Sequence, residues 1–133
     1  MDFTYSSYTA IISDLHLCEA EPVHPRFPLW KKFKTRQFFF DDLFCEFLQF
    51  IIKKADGQPV ELVLNGDIFD FDSVLKIPEE PSFRITWIEY RRGLLPRPER
   101  SKFKIQVILK DHEVFVKGLR EFIIKGNKVV FVI

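Results

Sequence analysis

Three short apolar segments alternate with two longer stretches of helical periodicity along the chain. Residues 9–13, 60–64 and 128–133 are apolar and rich in β-branched side chains, which is typical of buried strands. Apolar residues recur three and four positions apart in residues 36–55, and a similar stripe runs through residues 102–125. The sequence therefore predicts an α/β fold in which helices connect parallel strands, in the order β-α-β-α-β.

Two segments follow neither period. Residues 18–34 contain three prolines and predict a long loop, and residues 77–101 are rich in proline and arginine. We interpret the second segment as an insertion or lid within one partial domain that spans residues 1–133. The predicted core combines the apolar stripe of the second helix with the Phe-rich faces of the first (Ile105, Ile108, His112, Phe115, Leu119, Phe122; Phe38, Phe39, Phe40, Phe44, Phe47, Phe50).

Composition narrows the class of protein. A chain of 133 residues has room for one modest core, and its net charge of +1 gives no reason to expect a nucleic-acid partner. Cys18 and Cys45 lack the spacing of a metal knuckle, so we expect reduced thiols. No segment has the pattern of a signal peptide or the roughly 18 apolar residues of a membrane span. These features predict a cytoplasmic protein, with peripheral contact to the inner membrane surface left open.

Polar residues with metal-binding chemistry follow the first two predicted strands. Asp14 and His16 come directly after the first strand, and Asp67 and Asp70 come after the second. The carboxyl ends of parallel strands meet at one edge of a sheet, so these side chains should converge there. Residues two apart in an extended chain point to the same side, which would let Asp14 and His16 bind one ion. Gly66 would let the backbone turn tightly and come close to the ion.

The types of ligand limit the choice of metal ion. A carboxylate combined with an imidazole suits Mn²⁺, Fe or Zn²⁺ better than Ca²⁺, which takes oxygen ligands. The sequence thus predicts a divalent metal site, with Mn²⁺ as the first choice.

Asp14-Leu15-His16, followed by Gly66-Asp67-Ile68-Phe69-Asp70, resembles the first two motif blocks of the calcineurin-like metallophosphoesterases. The stretch from Ile12 to Cys18 also resembles the branch that contains UDP-2,3-diacylglucosamine pyrophosphohydrolases. The resemblance implies that Asp14 and His16 bind a first metal ion and that Asp67 bridges two ions. It implies that Asp70 acts in catalysis by orienting the histidine of a later Gly-Asn-His-(Asp/Glu) block. The implied reaction is hydrolysis of a phosphoester or pyrophosphate by a hydroxide that two metal ions activate.

The sequence contains neither that later block nor the two further histidine motifs of the family. We therefore expect an N-terminal half of the metallophosphoesterase sandwich that is inactive alone and self-associates through its exposed strand edge. The substrate of the parent enzyme would be a phosphorylated small molecule or a lipid-linked phosphate. The alternative hypothesis is a non-catalytic α/β module that binds a partner through its Phe-rich faces.

Several other polar residues are better explained without a ligand. His24 reads as a solvated loop histidine, His112 as a satisfied core histidine, and Asp72 as an exposed turn carboxylate. Asp41 and Asp42 lie in the first turns of a helix, where the helix dipole favours them. Residues 30–34 and 84–100 mix aromatic and basic side chains, which fits a substrate lid, a lipid-phosphate surface or a solvated loop.

Overall fold

The computed structural model describes residues 8–19 and 41–132. The predicted loop between residues 20 and 34, with His24 and the basic segment 30–34, lies outside these ranges. So do residues 36–40, where the first helix was predicted to begin, and the last residue of the third strand. The elements are three strands and four helices: β1 Tyr8–Ser13, α1 Asp41–Lys54, β2 Val60–Asn65, α2 Trp87–Arg92, α3 Pro98–Asp111, α4 Glu113–Ile124 and β3 Lys128–Val132.

The strands form a parallel sheet in the order β1-β2-β3. Tyr8 pairs with Val60 at the start of β1 and β2, and Glu61 pairs with Lys128 at the start of β3. The predicted α/β class with parallel strands is therefore confirmed. Within the described ranges, no helix is both long enough and apolar enough to cross a membrane.

The described residues divide into two compact units. The first contains residues 8–15, 41–68 and 113–132, and the second contains residues 16–19 and 69–112. The buried residues of the first unit include alternate residues of β2 and the apolar faces of α1 and α4 (Val60, Leu62, Leu64; Phe44, Leu48; Phe115, Leu119, Phe122). The helical periodicity in the sequence therefore reports real core positions.

The prediction that the first strand is buried is wrong, and so is the prediction that Phe50 belongs to the core. Ile11 of β1 is 66% exposed and Val132 of β3 is 44% exposed, whereas β2 buries Leu62 and Leu64 completely. Among the described strands, β2 alone has a neighbour on both sides. On α1, Phe50 is 56% exposed because it lies away from the face that Phe44 and Leu48 bury.

The single helix predicted over residues 102–125 is also wrong, because the structure divides it at His112. The backbone there has φ −119° and ψ 45°, outside the helical region. His112 still donates its N–H to the Ile108 carbonyl at 2.9 Å, so α3 ends with its last hydrogen bond intact. The segment 77–101, predicted as an insertion, contains α2 and the first turn of α3.

Helices α1 and α4 meet at a close contact. The rings of Phe44 and Phe115 lie 4.6 Å apart between centroids, and Asp41 Oδ2 accepts the Phe115 N–H at 3.0 Å. Gly118 lies opposite Cys45, and a Cβ added to this glycine would come within 2.7 Å of Cys45 Sγ. The contact between the two helices therefore depends on a residue without a side chain at position 118.

We predict that Gly118→Ala lowers the free energy of unfolding by about 1 kcal/mol, because overpacking outweighs the gain in helix propensity. In a Cys45→Ala background the same change should raise the free energy of unfolding by up to about 1 kcal/mol, since the clash is gone and the propensity gain remains. Urea unfolding of the four proteins of this cycle measures both effects. A stabilising Gly118→Ala in the native background would contradict the contact.

The second unit is organised around a buried ion pair that the sequence did not reveal. Glu89 and Arg100 are both buried, and the Arg100 Nε donates to Glu89 Oε1. Glu89 also accepts the N–H of Thr86 at 2.9 Å and of Leu95 at 3.3 Å, while Arg100 donates to the Arg84 carbonyl at 3.0 Å. The bond from Arg100, followed by the backbone bond from Thr86, lowers the pKa of Glu89 to about 2. The ion pair thus ties α2, α3 and the preceding loop together.

The Glu89–Arg100 ion pair makes the stability of the fold depend on pH. The pKa of Glu89 falls from an ordinary 4.5 to about 2 on folding, so its ionised form stabilises the fold above pH 4.5 and loses that effect as the pH drops towards 2. We predict that Glu89→Gln lowers the free energy of unfolding at pH 7, because it removes the buried counter-charge of Arg100. The difference from the native protein should narrow between pH 4.5 and pH 2.5.

The matched control is Glu99→Gln. Glu99 lies 3.6 Å from the same guanidinium, but its side chain is 70% exposed, so its removal should change little. Denaturant unfolding at a series of pH values measures all three proteins. A difference in the free energy of unfolding between Glu89→Gln and native protein that does not change with pH would contradict the lowered pKa of Glu89.

Candidate metal centre

The candidate centre lies where β1 and β2 end. Ser13 and Asn65 are the last paired residues of these parallel strands, so both chains leave the sheet at the same edge. Asp14 follows Ser13 at once, and Gly66 and Asp67 follow Asn65. The strand pairing therefore delivers one carboxylate from each strand to the same place.

The structure brings Asp14, His16 and Asp67 together. One ligand atom from each side chain lies within 4.8 Å of the others. The two carboxylates are exposed and the imidazole is half-buried. Ser13 Oγ donates to Asp14 Oδ2 at 2.6 Å, which helps to hold that carboxylate at the strand end. Two carboxylates and one imidazole thus form a compact group that is open to water.

The spacing fits one divalent cation after a small adjustment. Ligands about 2.1 Å from an ion can lie at most about 4.2 Å apart. The 4.8 Å limit on the three ligand atoms exceeds this value slightly, and rotation of an exposed carboxylate covers the difference. The donor types suit Mn²⁺, Fe or Zn²⁺, as the sequence predicts.

All three residues have a left-handed backbone. Positive φ occurs at four non-glycine residues in the described ranges: Asp14 (56°), His16 (48°), Asp56 (48°) and Asp67 (31°). This region costs an L-residue about 1–2 kcal/mol, and strained residues concentrate at functional sites. Three of these four residues are the candidate ligands, so the strain marks the same group as the sequence motif does.

The backbone path differs from the predicted one. The argument that Asp14 and His16 share a side assumed an extended chain, but β1 ends at Ser13 and both residues are left-handed. The two side chains come together through this change of backbone direction. Gly66 has φ 60° and donates its N–H to the Val132 carbonyl at 3.0 Å. Its turn agrees with the role that the sequence gives it.

Asp70 lies outside the group of three. Its Oδ1 accepts the N–H groups of Asp72 and Ser73, both at 3.1 Å, and its Oδ2 accepts the Ser73 hydroxyl. Asp70 therefore closes the turn that follows the second motif. Its expected role in orienting a histidine stays a prediction. Asp72 is exposed, as expected for a turn carboxylate.

The chain beyond His16 is fastened by contacts that the sequence did not predict. Leu17 forms an isolated parallel bridge with Phe69 and accepts the Asp70 N–H at 2.8 Å. Glu19 Oε2 accepts the N–H groups of Leu75 and Lys76 at 3.0 and 2.9 Å. These partners are more than fifty residues apart in sequence, so no local pattern could have revealed them.

His112 is a core histidine, and this prediction is confirmed. Its side chain is 6% exposed, and its Nε2 lies 2.8 Å from the Cys18 carbonyl oxygen. Neither Cys18 nor Cys45 forms a disulfide bond. Burial raises the pKa of the Cys45 thiol, and the carboxylates of Asp41 and Asp42 raise it further.

Comparison of the chain with protein-family models, with curated proteins and with solved structures finds no match.

The left-handed backbone at Asp67 predicts that a glycine variant is more stable than an alanine variant at this position, the reverse of the order in a helix. At this position Gly should be more stable than Ala by about 1 kcal/mol in metal-free protein, because Gly alone adopts positive φ without strain. Asp56, which has φ 48° and lies outside the ligand group, should show the same order. Glu46, an exposed residue of α1, should show the reverse order. Denaturant unfolding of these Gly and Ala pairs tests the strain, and Ala above Gly at position 67 would contradict it.

Proposed function

We propose that this chain carries the first metal-binding strand ends of a calcineurin-like metallophosphoesterase. The complete enzyme would hydrolyse a phosphoester or pyrophosphate. The observation that carries the proposal is the convergence of Asp14, His16 and Asp67 within 4.8 Å at the ends of neighbouring parallel strands. The motif order in the sequence and the shared backbone strain support it independently. The corresponding fold proposal is the N-terminal half of the metallophosphoesterase sandwich.

In this proposal each side chain has a distinct task. Asp14 and His16 would hold one ion from the end of β1, and Asp67 would act as a shared ligand from the end of β2. Metal ions held by these side chains would supply an activated water at neutral pH and would neutralise charge on the phosphate. Manganese is the first choice because the ligands combine carboxylate and imidazole. Asp70, held by its turn, stays close in sequence to Asp67 and is proposed to orient a further histidine.

The residues present predict little hydrolysis by this chain alone. A phosphoesterase centre needs more ligands than these three and a group that protonates the leaving oxygen. Of the three histidines in the sequence, His16 is a proposed ligand and His112 is buried against a carbonyl. We therefore propose metal binding with weak turnover. The proposed substrate class is a phosphorylated small molecule or a lipid-linked phosphate, met in the cytoplasm or at the membrane surface.

The second candidate function is a non-catalytic module that binds a partner through apolar residues. Its support is the exposure of large apolar side chains on α1, where Leu43 is 58% and Phe50 56% exposed. Exposed apolar area of this kind marks an interaction surface. Metal affinity separates the two functions, because the interaction module has no need of an ion.

The test is Mn²⁺ titration by calorimetry. We expect the native chain to bind Mn²⁺ and Asp67→Ala to weaken binding at least about 10-fold, because one of three protein ligands is lost. Asp56→Ala is the matched control, since it removes an equally strained aspartate outside the group. The native chain should hydrolyse bis(p-nitrophenyl) phosphate little faster than Asp67→Ala does.

Two results would contradict the proposal in different ways. Equal Mn²⁺ affinity in native protein and Asp67→Ala would remove Asp67 from the centre. Strong Mn²⁺-dependent turnover by the native chain would leave the centre in place and show that the chain is not the inactive half proposed.

A further inference from the structure

We propose that His112 is a positioning residue for His16, which it holds through the backbone carbonyl of Cys18. This inference rests on the proposed function, because it treats His16 as a metal ligand. The contact joins the start of the second unit to the residue where α3 ends. It gives the buried histidine, which the proposed reaction does not use, a defined task.

The hydrogen bond has one direction. A carbonyl oxygen accepts and never donates, so the Nε2 of His112 must carry the proton and donate to Cys18 across 2.8 Å. The ring is 6% exposed, so water competes poorly for either group. His112 is itself fixed, because its N–H donates to the Ile108 carbonyl at the end of α3. A rigid donor therefore holds the carbonyl.

Cys18 is two residues beyond His16. Its two neighbours in sequence, Leu17 and Glu19, are also held by hydrogen bonds. Leu17 is bound to Asp70 and Glu19 to Leu75 and Lys76. Those bonds use backbone N–H groups as donors, so His112 contributes the side-chain donor in this set. His16 has φ 48°, a conformation that persists only when surrounding contacts hold it. Loss of the His112 bond should let the backbone at His16 relax and carry the imidazole away from Asp14 and Asp67.

Two substitutions at His112 separate hydrogen bonding from packing. Phe keeps a ring but has no donor, whereas Gln keeps a neutral N–H donor. We expect His112→Phe to weaken Mn²⁺ binding about 10-fold or more, the usual effect of losing a group that orients a ligand. His112→Gln should stay within about 3-fold of native affinity if the donor is what matters.

Leu94→Ala is the control for stability. Leu94 is buried in the same unit, so its truncation should destabilise the protein. Leu94 takes no part in the hydrogen bonds described above for Leu17, Cys18 and Glu19. Metal-free unfolding is measured for every variant. If Leu94→Ala weakens Mn²⁺ binding as much as His112→Phe does, the effect is general destabilisation and the inference is overturned. Equal affinity in native protein and His112→Phe would overturn it as well.

A metal-free measurement keeps this inference distinct from the proposed function. In a Cys45→Ala background, Cys18 is the single remaining thiol, and its alkylation rate reports how firmly its backbone is held. We expect His112→Phe to accelerate this reaction several-fold and His112→Gln to leave it near the native rate. Unchanged alkylation in His112→Phe would overturn the inference. Accelerated alkylation in a chain whose native form binds no Mn²⁺ would support the hydrogen bond's effect and defeat the metal-binding function.

Discussion

The candidate centre depends on the parallel register of β1 and β2. Because Ser13 pairs with Asn65, the residues that leave the two strands start from the same level of the sheet. A slip by one residue would move Asp14 along the sheet by about 3.3 Å and turn β1 over. That displacement is comparable with the whole 4.8 Å extent of the ligand group. Burial favours this register, since Leu62 and Leu64 of β2 are buried and their partners Ala10 and Ile12 of β1 are half-buried.

Backbone strain at the centre must be offset by contacts beyond it. Three left-handed residues together cost about 3–6 kcal/mol, which is a large share of the stability of a small domain. The bonds immediately downstream supply part of the compensation, because the Leu17–Phe69 bridge and the Glu19 carboxylate fix the chain within a few residues of His16. The centre is therefore built by two features together, a strained strand exit and a firmly held segment after it.

Sequence reasoning found the three strands and the first helix because their signals are local. A β-branched run followed by polar residues locates the end of β1 and of β2, and the topology of parallel strands then places those ends at one edge. The break at His112 could not be found in this way, since the apolar spacing from Ile108 through Phe115 to Phe122 continues in phase across it. Periodicity reports which positions are buried and does not report whether one helix or two bury them. The Glu89–Arg100 pair joins two helices across a segment that contains Gly93, Pro96 and Pro98, so no single helix or strand period relates the two residues. Aspartate and histidine adopt positive φ more often than most residues do, but this preference is too weak to predict the backbone angles at Asp14 and His16.

The exposure of the candidate ligands indicates which kind of metal site they could form. Two carboxylates at this distance repel by only about 1 kcal/mol when water surrounds them, so the group can persist without an ion. The same solvent weakens its attraction for a cation, and three protein ligands leave several coordination positions to water or substrate. Structural metal sites are closed and fully ligated by protein, whereas catalytic sites keep positions open. If the exposed group of two aspartates and one histidine binds an ion as proposed, it has the second character, and this supports the proposed hydrolytic centre over a stabilising ion site.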